Sequence, residues 1–245
     1  GHVLQAEGVK FAMEGHRRAM PYNMGSLYWQ INDCWPVASW SSTDYYQRWK
    51  ALQYFAKKAF EPVIISPFGL KDTLNIGVVS DRLTAFNANI SLKVIDFTGK
   101  EIWKEELTQE IPANSAAFKL SYLKKDLLKG TNANNAVLVA QIREGDKLLH
   151  CNTFYFLPVK DLDLPKSEVK AEVAETATGY TVTLSTATLA KNVYLSVDDK
   201  AECFFSDNYF DLFPGEKVTI ECKTNGVKID GFGSKLKVMT IADSY

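Results

Sequence analysis

Side chains able to do acid-base, nucleophilic or metal chemistry are thinly spread in this sequence. Paired carboxylates are the usual equipment for general acid and base work, and two arrangements come closest to a pair. Glu7 and Glu14 stand seven residues apart in a helical stretch, about 10.5 Å of rise, and read as solvated. Asp33 and Asp44 share one loop, where the ordinary work of Asp is capping and turn formation. Neither arrangement makes a catalytic pair, and no catalytic residue is assigned within the chain. The four cysteines (Cys34, Cys151, Cys203, Cys222) contain no C-x-x-C, and the three histidines (His2, His16, His150) are as scattered. No metal site and no cofactor are therefore expected. Cys203 and Cys222 lie in neighbouring apolar runs and could be bridged, although buried free thiols are the plainer reading.

These groups must be positioned by a chain of 245 residues, 46% hydrophobic and 12% aromatic, enough for one large core or two to three small ones. With 28 Lys and Arg against 29 Asp and Glu the net charge is −1, so there is no electrostatic case for nucleic acid or an anionic membrane as partner. Apolar stretches fall short of the roughly 20 residues of a spanning helix, and no basic and apolar leader opens the stretch.

Four of the five tryptophans (Trp29, Trp35, Trp40, Trp49) fall in the first fifth of the chain. There Leu4, Gly8, Phe11, Ala12, Gly15 and Ala19 line one helical face made of unusually small residues. After Pro21 comes Gly25-Ser-Leu-Tyr-Trp-Gln-Ile31, an apolar run that predicts a parallel strand buried on both faces. A polar and aromatic loop, 32–44, follows, and then a helix over Gln47–Phe60 carrying Trp49, Leu52, Phe55, Ala56 and Ala59 on one face. Helix, buried strand, loop, helix is the rhythm of an α/β barrel, yet one parallel strand makes no sheet. The segment reads as part of something larger.

From Glu61 the period becomes two. Strands are expected at 63–65, 73–79, 88–95, 102–107, 118–122, 137–143 and 148–156, with hairpin turns at Asp96-Phe-Thr-Gly99 and Glu144-Gly-Asp146. Seven short strands in about one hundred residues mark an immunoglobulin-like sandwich. Val159–Lys166 reads as a linker, and further strands near Val169 and at 180–184, 192–197, 202–205, 217–222 and 235–241 form a smaller sandwich. The expected fold is mainly β: two immunoglobulin-like sandwiches (61–160 and 161–245) preceded by an α/β remnant of a (β/α)8 barrel (1–60).

Two strings carry a resemblance. Gly25-Ser-Leu-Tyr-Trp-Gln-Ile-Asn-Asp-Cys-Trp-Pro-Val-Ala-Ser-Trp-Ser41, continued by Asp44-Tyr-Tyr-Gln-Arg-Trp-Lys-Ala-Leu52, resembles the last barrel strand and loop of the β-mannosidases of glycoside hydrolase family 2. Phe205-Ser-Asp-Asn-Tyr-Phe-Asp-Leu-Phe-Pro-Gly-Glu216 is similar to a signature of that family's C-terminal immunoglobulin-like domain. The resemblance implies a five-domain parent that removes terminal β-linked mannose from oligosaccharides with retention of configuration. Retention needs two carboxyl groups about 5 to 5.5 Å apart; in the family these are glutamates after the fourth and seventh barrel strands, so both are expected before Gly1. Family resemblance also favours an extracytoplasmic location, in the bacterial periplasm.

On that resemblance Trp29 sits at the C-terminal end of a barrel strand, where its ring can stack on the C–H face of a sugar, and the peptide after it is expected to be cis. Asn32 and Asp33 can hydrogen-bond sugar hydroxyls or hold the loop. The partner implied is a mannose-containing oligosaccharide. Alternatives are a sibling exo-glycosidase acting on galactosides, glucuronides or glucosaminides, and a carbohydrate-binding protein with an aromatic platform at Tyr209, Phe210 and Phe213. The barrel segment is expected to dock on the first sandwich through the face of the 47–60 helix, and its remaining apolar surface to associate with another copy of the chain.

Overall fold

A computed structural model describes residues 1–197, 203–224 and 227–244. The chain divides into two compact units, one of residues 1–96 and 100–163, the other of 97–99 and 164–245.

The first unit opens with helix α1 (His2–Arg18) and helix α2 (Ala51–Ala59). Its sandwich follows as β1 (Val63–Leu70), β2 (Thr73–Ser80), β3 (Phe86–Asp96), β4 (Glu101–Ile111), β5 (Lys119–Leu123), the one-turn helix α3 (Lys124–Leu128), β6 (Ala136–Glu144) and β7 (Lys147–Tyr155). A three-stranded sheet, β1-β2-β5, faces a four-stranded sheet, β4-β3-β6-β7, and every pairing is antiparallel. Alternation along β3 sends Ala88, Ile90, Leu92 and Val94 inward, where they meet Ile65, Leu74, Ile76, Leu138 and Ile142 in one core. All seven expected strands are present, most of them longer than the alternating stretch alone marks.

The second unit comprises β8 (Val169–Thr176), β9 (Gly179–Thr186), β10 (Ala190–Ser196), β11 (Phe204–Phe205), β12 (Phe210–Leu212), β13 (Lys217–Lys223), a short α4 (Phe232–Lys235) and β14 (Lys237–Met239). Its sheets run β11-β13-β9-β8 and β12-β10-β14 over a core of Tyr180, Val182, Leu184, Val193, Leu195, Leu212 and Ile220. Gly179, at φ +150, opens β9 where an added Cβ would stand 2.1 Å from the Cys222 carbonyl oxygen, so no other residue fits. Glu202, the first residue of one expected strand, lies outside the described residues. Cys203 and Cys222 are free thiols within hydrogen-bond reach of each other.

The first sixty residues depart from expectation in three ways. No strand forms at 25–31: Leu27 is 102% exposed and Ile31 60%. A buried parallel strand needs hydrogen-bonded neighbours on both edges, and among the described residues the stretch has only the Ser42–Thr43 segment beside it. The small-residue face of α1 points outward, leaving Leu4 80% and Phe11 71% exposed, and a Cβ at Gly8 would meet nothing. It is also α1, rather than α2, that grips the sandwich.

That grip is polar. Glu14, expected in solvent, is 5% exposed. Its carboxylate accepts hydrogen bonds from Ser66 Oγ on β1 at 2.6 Å and Asn152 Nδ2 on β7 at 3.0 Å. Lys10 and Arg18, four residues to either side, stand 3.6 and 3.8 Å from it. Lys10 Nζ donates to Asn152 Oδ1 at 2.7 Å, Arg18 donates to Ser66 Oγ, and the Arg18 guanidinium lies 4.2 Å from the Phe68 ring centre. Arg17 donates to the Ala59 and Glu61 carbonyls and pairs with Asp81, while Met13 packs on Ala56 and Ala59 of α2. Helix α2 thus reaches the rest of the unit largely through α1.

Candidate functional site

The loop between the two helices is where the sequence concentrates its tryptophans. Its backbone is fixed at three levels. Ser42 N donates to Gln30 O at 2.9 Å, Thr43 N to Ile31 O at 2.8 Å, and Lys50 N to Ser42 O at 2.9 Å. Isolated bridges pair Asn32 with Thr43 and Thr43 with Trp49. Asp44 closes the turn before α2 by accepting from Arg48 N at 2.9 Å and Arg48 Nε at 2.6 Å, the turn formation expected of it; it caps no helix. The hydroxyls of Tyr28 and Ser42 and Gln53 Oε1 of α2 meet within hydrogen-bond distance.

Of the three residues singled out in the sequence, Trp29 stands 74% exposed, and the Trp29–Gln30 peptide is cis. Asn32 is also exposed, its side-chain amide making one long bond of 3.4 Å to the Asp33 carbonyl. Asp33 is turned the other way and is 5% exposed. One carboxylate oxygen accepts from Ser39 Oγ at 2.5 Å; the other accepts from Ser41 Oγ at 2.6 Å and Lys50 Nζ at 3.4 Å. The Ser39 and Ser41 hydroxyls, and then Lys50, hold the Asp33 carboxyl below the usual carboxylate range. Lys50 Nζ also donates to Ser41 Oγ at 2.7 Å and Ser39 O at 3.5 Å.

The arrangement is therefore two-faced. Asp33, Ser41 and Lys50 are buried and Ser39 is half-buried, whereas Trp29, Asn32, Trp35 and Trp40 are exposed. Flat apolar rings next to an amide able to donate and accept suit a ligand with alternating C–H and hydroxyl surface. Trp49 does not join them: it packs edge-on against Tyr54, ring centres 5.1 Å apart. Sequence reasoning missed Ser39, Ser41 and Lys50. The sequence offered no signal for them: the helix expected from Gln47 begins at Ala51, and only that later start puts Lys50 at the N-cap, where Ser, Thr, Asp or Asn is usual.

Elsewhere the surface offers less. In the second unit Phe210 and Phe213 are buried, and Asn208 fastens the 205–216 segment by bonding both Leu195 N and Leu195 O at 2.8 and 2.9 Å. The aromatic platform considered there is thus absent, since two of its three rings belong to the core. Among the described residues no three His, Cys, Asp or Glu side chains cluster as a metal would require.

Residues 72–161 match the mannosidase Ig/CBM-like domain family, and residues 164–244 match the mannosidase Ig-fold domain family. Beta-mannosidase A of Aspergillus terreus is 31% identical over 251 residues, 94% of this chain, and beta-mannosidase of Capra hircus is 31% identical over 257 residues, 99% of it. Both matched stretches are mannosidase domains, and over nearly all of its length the chain is similar to a part of these β-mannosidases. The crystal structure of the Dictyoglomus thermophilum β-D-mannosidase superposes with a TM-score of 0.84 at 29% identity, covering 98% of this chain and 29% of that one. The exo-chitosanase CsxA of Amycolatopsis orientalis shares the fold, with a TM-score of 0.72 at 20% identity over 98% of this chain and 34% of its own. The chain spans 26% and 29% of the length of these two β-mannosidases, and both of its sandwiches match mannosidase domains.

Proposed function

We propose that this chain is the C-terminal part of a retaining exo-β-mannosidase that hydrolyses terminal β-linked mannose, with Trp29 and Asn32 in the wall of the sugar subsite. The observation that carries the reading is the exposure of Trp29 and Asn32 at the start of a loop whose Asp33, Ser39, Ser41 and Lys50 are bonded to one another. A tryptophan ring there stacks on the C–H face of the mannosyl unit while Asn32 bonds a hydroxyl. Asp33, its carboxylate already engaged, serves the subsite by keeping the loop in place. The two glutamates of double displacement belong to the part of the protein preceding this chain, and both sandwiches support the barrel. A location outside the cytoplasm, in the bacterial periplasm, goes with this reading.

The test is an assay of the complete protein on the 4-nitrophenyl β-glycosides of mannose, galactose, glucosamine and glucuronic acid, with this chain alone in parallel. The mannoside is expected to be turned over fastest, with retention, and the chain alone to give no rate above background. Preference for another glycoside, or turnover by the chain alone, overturns the reading.

A further inference from the structure

Lys50 is out of place by the rules of helix ends. It occupies the N-cap of α2 with no side-chain capping bond, where a cation opposes the helix dipole and a hydroxyl or carboxylate is the favoured residue. It is also nearly buried, in a position that α2 itself does not require. The three hydrogen-bond partners of its ammonium lie in the preceding loop: Ser41 Oγ at 2.7 Å, Asp33 Oδ2 at 3.4 Å and Ser39 O at 3.5 Å. Asp33 directly follows Asn32 and lies four residues after Trp29, whereas Ser39 and Ser41 sit on the returning arm. The ammonium is thus the point where the outgoing arm, the returning arm and the start of α2 meet. Between the arms, residues 34–38 are exposed and without regular structure, and the knot ties the two ends of this stretch together.

We infer that Lys50 is a positioning residue of the glycosidase site: acting through Asp33 and Ser41, it fixes the 33–41 loop and thereby the presentation of Trp29 and Asn32 to the sugar. The inference rests on the reading of the site given above. It assigns a role to a side chain that touches no substrate, and it makes Asp33 part of the same device.

Three variants of the complete protein test it: Lys50→Met, which keeps the aliphatic stem; Lys50→Arg, which keeps the charge; and Asp33→Asn, which keeps the shape. Rates on 4-nitrophenyl β-mannoside are measured well below each variant's melting temperature, so that loss of fold does not enter. Lys50→Met is expected to lower kcat/KM at least tenfold, and Lys50→Arg to recover part of that loss. The Lys50→Met/Asp33→Asn pair should lose no more than Lys50→Met alone, because the two residues act as one unit. Should Lys50→Met not fold, Asp33→Asn carries the comparison with the same expected loss. In parallel, limited proteolysis of this chain with fragments mapped by mass should show Lys50→Met cut between residues 33 and 41 at least ten times faster than the parent. A folded Lys50→Met protein that melts earlier but keeps its kcat/KM, or one cleaved no faster in the loop, overturns the inference. Absence of turnover by the unsubstituted complete protein on every glycoside instead overturns the mannosidase reading, and proteolysis then still decides whether Lys50 fixes the loop.

Discussion

Replacing Glu14 by Ala removes the centre of the contact between α1 and the sandwich. Two bonds to the carboxylate disappear, from Ser66 Oγ at 2.6 Å and Asn152 Nδ2 at 3.0 Å. A bond to a charged acceptor contributes about 1.5–3 kcal/mol. The loss is partly offset, because Asn152 Nδ2 keeps the Ile65 carbonyl at 3.0 Å and Ser66 keeps Arg18. Lys10 and Arg18 lose their anion, but their side chains are 26% and 13% exposed and regain some hydration, so this part is discounted. Breaking a buried pair costs about 3–5 kcal/mol, and the low end, about 3 kcal/mol, applies here. For a unit of this size 1 kcal/mol moves the midpoint by roughly 2–4 °C, so its melting should fall by about 6–12 °C. Glu14→Gln, which keeps one acceptor, should fall by less than half as much. Differential scanning calorimetry of the chain resolves the shift. An Ala variant melting within about 2 °C of the parent would refute the argument that the buried carboxylate organises this contact.

The remaining predictions follow from burial and exposure. Burial pushes the His150 imidazole down to about 4 from 6.5, against the opposing pull of Glu14, and Nδ1 accepts from Ile65 N at 3.4 Å, so the ring is neutral. The unfolded chain then binds the proton between pH 6.5 and 4 and the folded one does not, so stability falls as pH drops through that window, by up to about 3 kcal/mol. Urea melts of His150→Asn should show a flatter pH dependence there, and an unchanged slope would refute the assignment. Trp29→Ala in the complete enzyme should lower kcat/KM for mannosides by about 1–3 kcal/mol of transition-state binding with the melting temperature unchanged; unfolding or full activity would contradict the subsite wall. Leu4, Phe11, Leu27 and Ile31 are each largely exposed on the first unit, and light scattering of this chain alone should show association rising with concentration; a monomer at all concentrations argues against it.

How far the sequence carried the fold depended on the range of the interactions involved. Strands such as β3 and β6 declare themselves because alternation is local and their partners are equally apolar. The 25–31 run is just as apolar, but the state of a central strand is decided by its neighbours, and the pattern within seven residues says nothing of them. In α1 the small and apolar residues suggested the buried face, while the charged row Lys10, Glu14 and Arg18 is what the sandwich receives. Its satisfying partners, Ser66 and Asn152, lie 52 and 138 residues beyond Glu14, out of reach of any local reading. In the candidate site, the contiguous motif is what singled out Trp29 and Asn32, both of which are exposed. The burial of Asp33 was not readable there, because it depends on Ser39, Ser41 and Lys50 converging on its carboxylate.

The inverted character of α1 bears on how such proteins can be taken apart and recombined. A helix that buries its charges against a sandwich and shows leucine and phenylalanine outward is a double-sided fastener, keyed on one side by hydrogen bonds whose geometry tolerates no slippage along the helix axis. The boundary suggested by secondary structure, near residue 60, would cut through that key. A chimera that exchanges the first sandwich at Glu61 therefore inherits Ser66 and Asn152 without the carboxylate that suits them. Moving the junction ahead of His2, so that both helices and the tryptophan loop travel with the sandwich, keeps donor and acceptor together and makes the portable module one helix pair larger than the immunoglobulin-like domain.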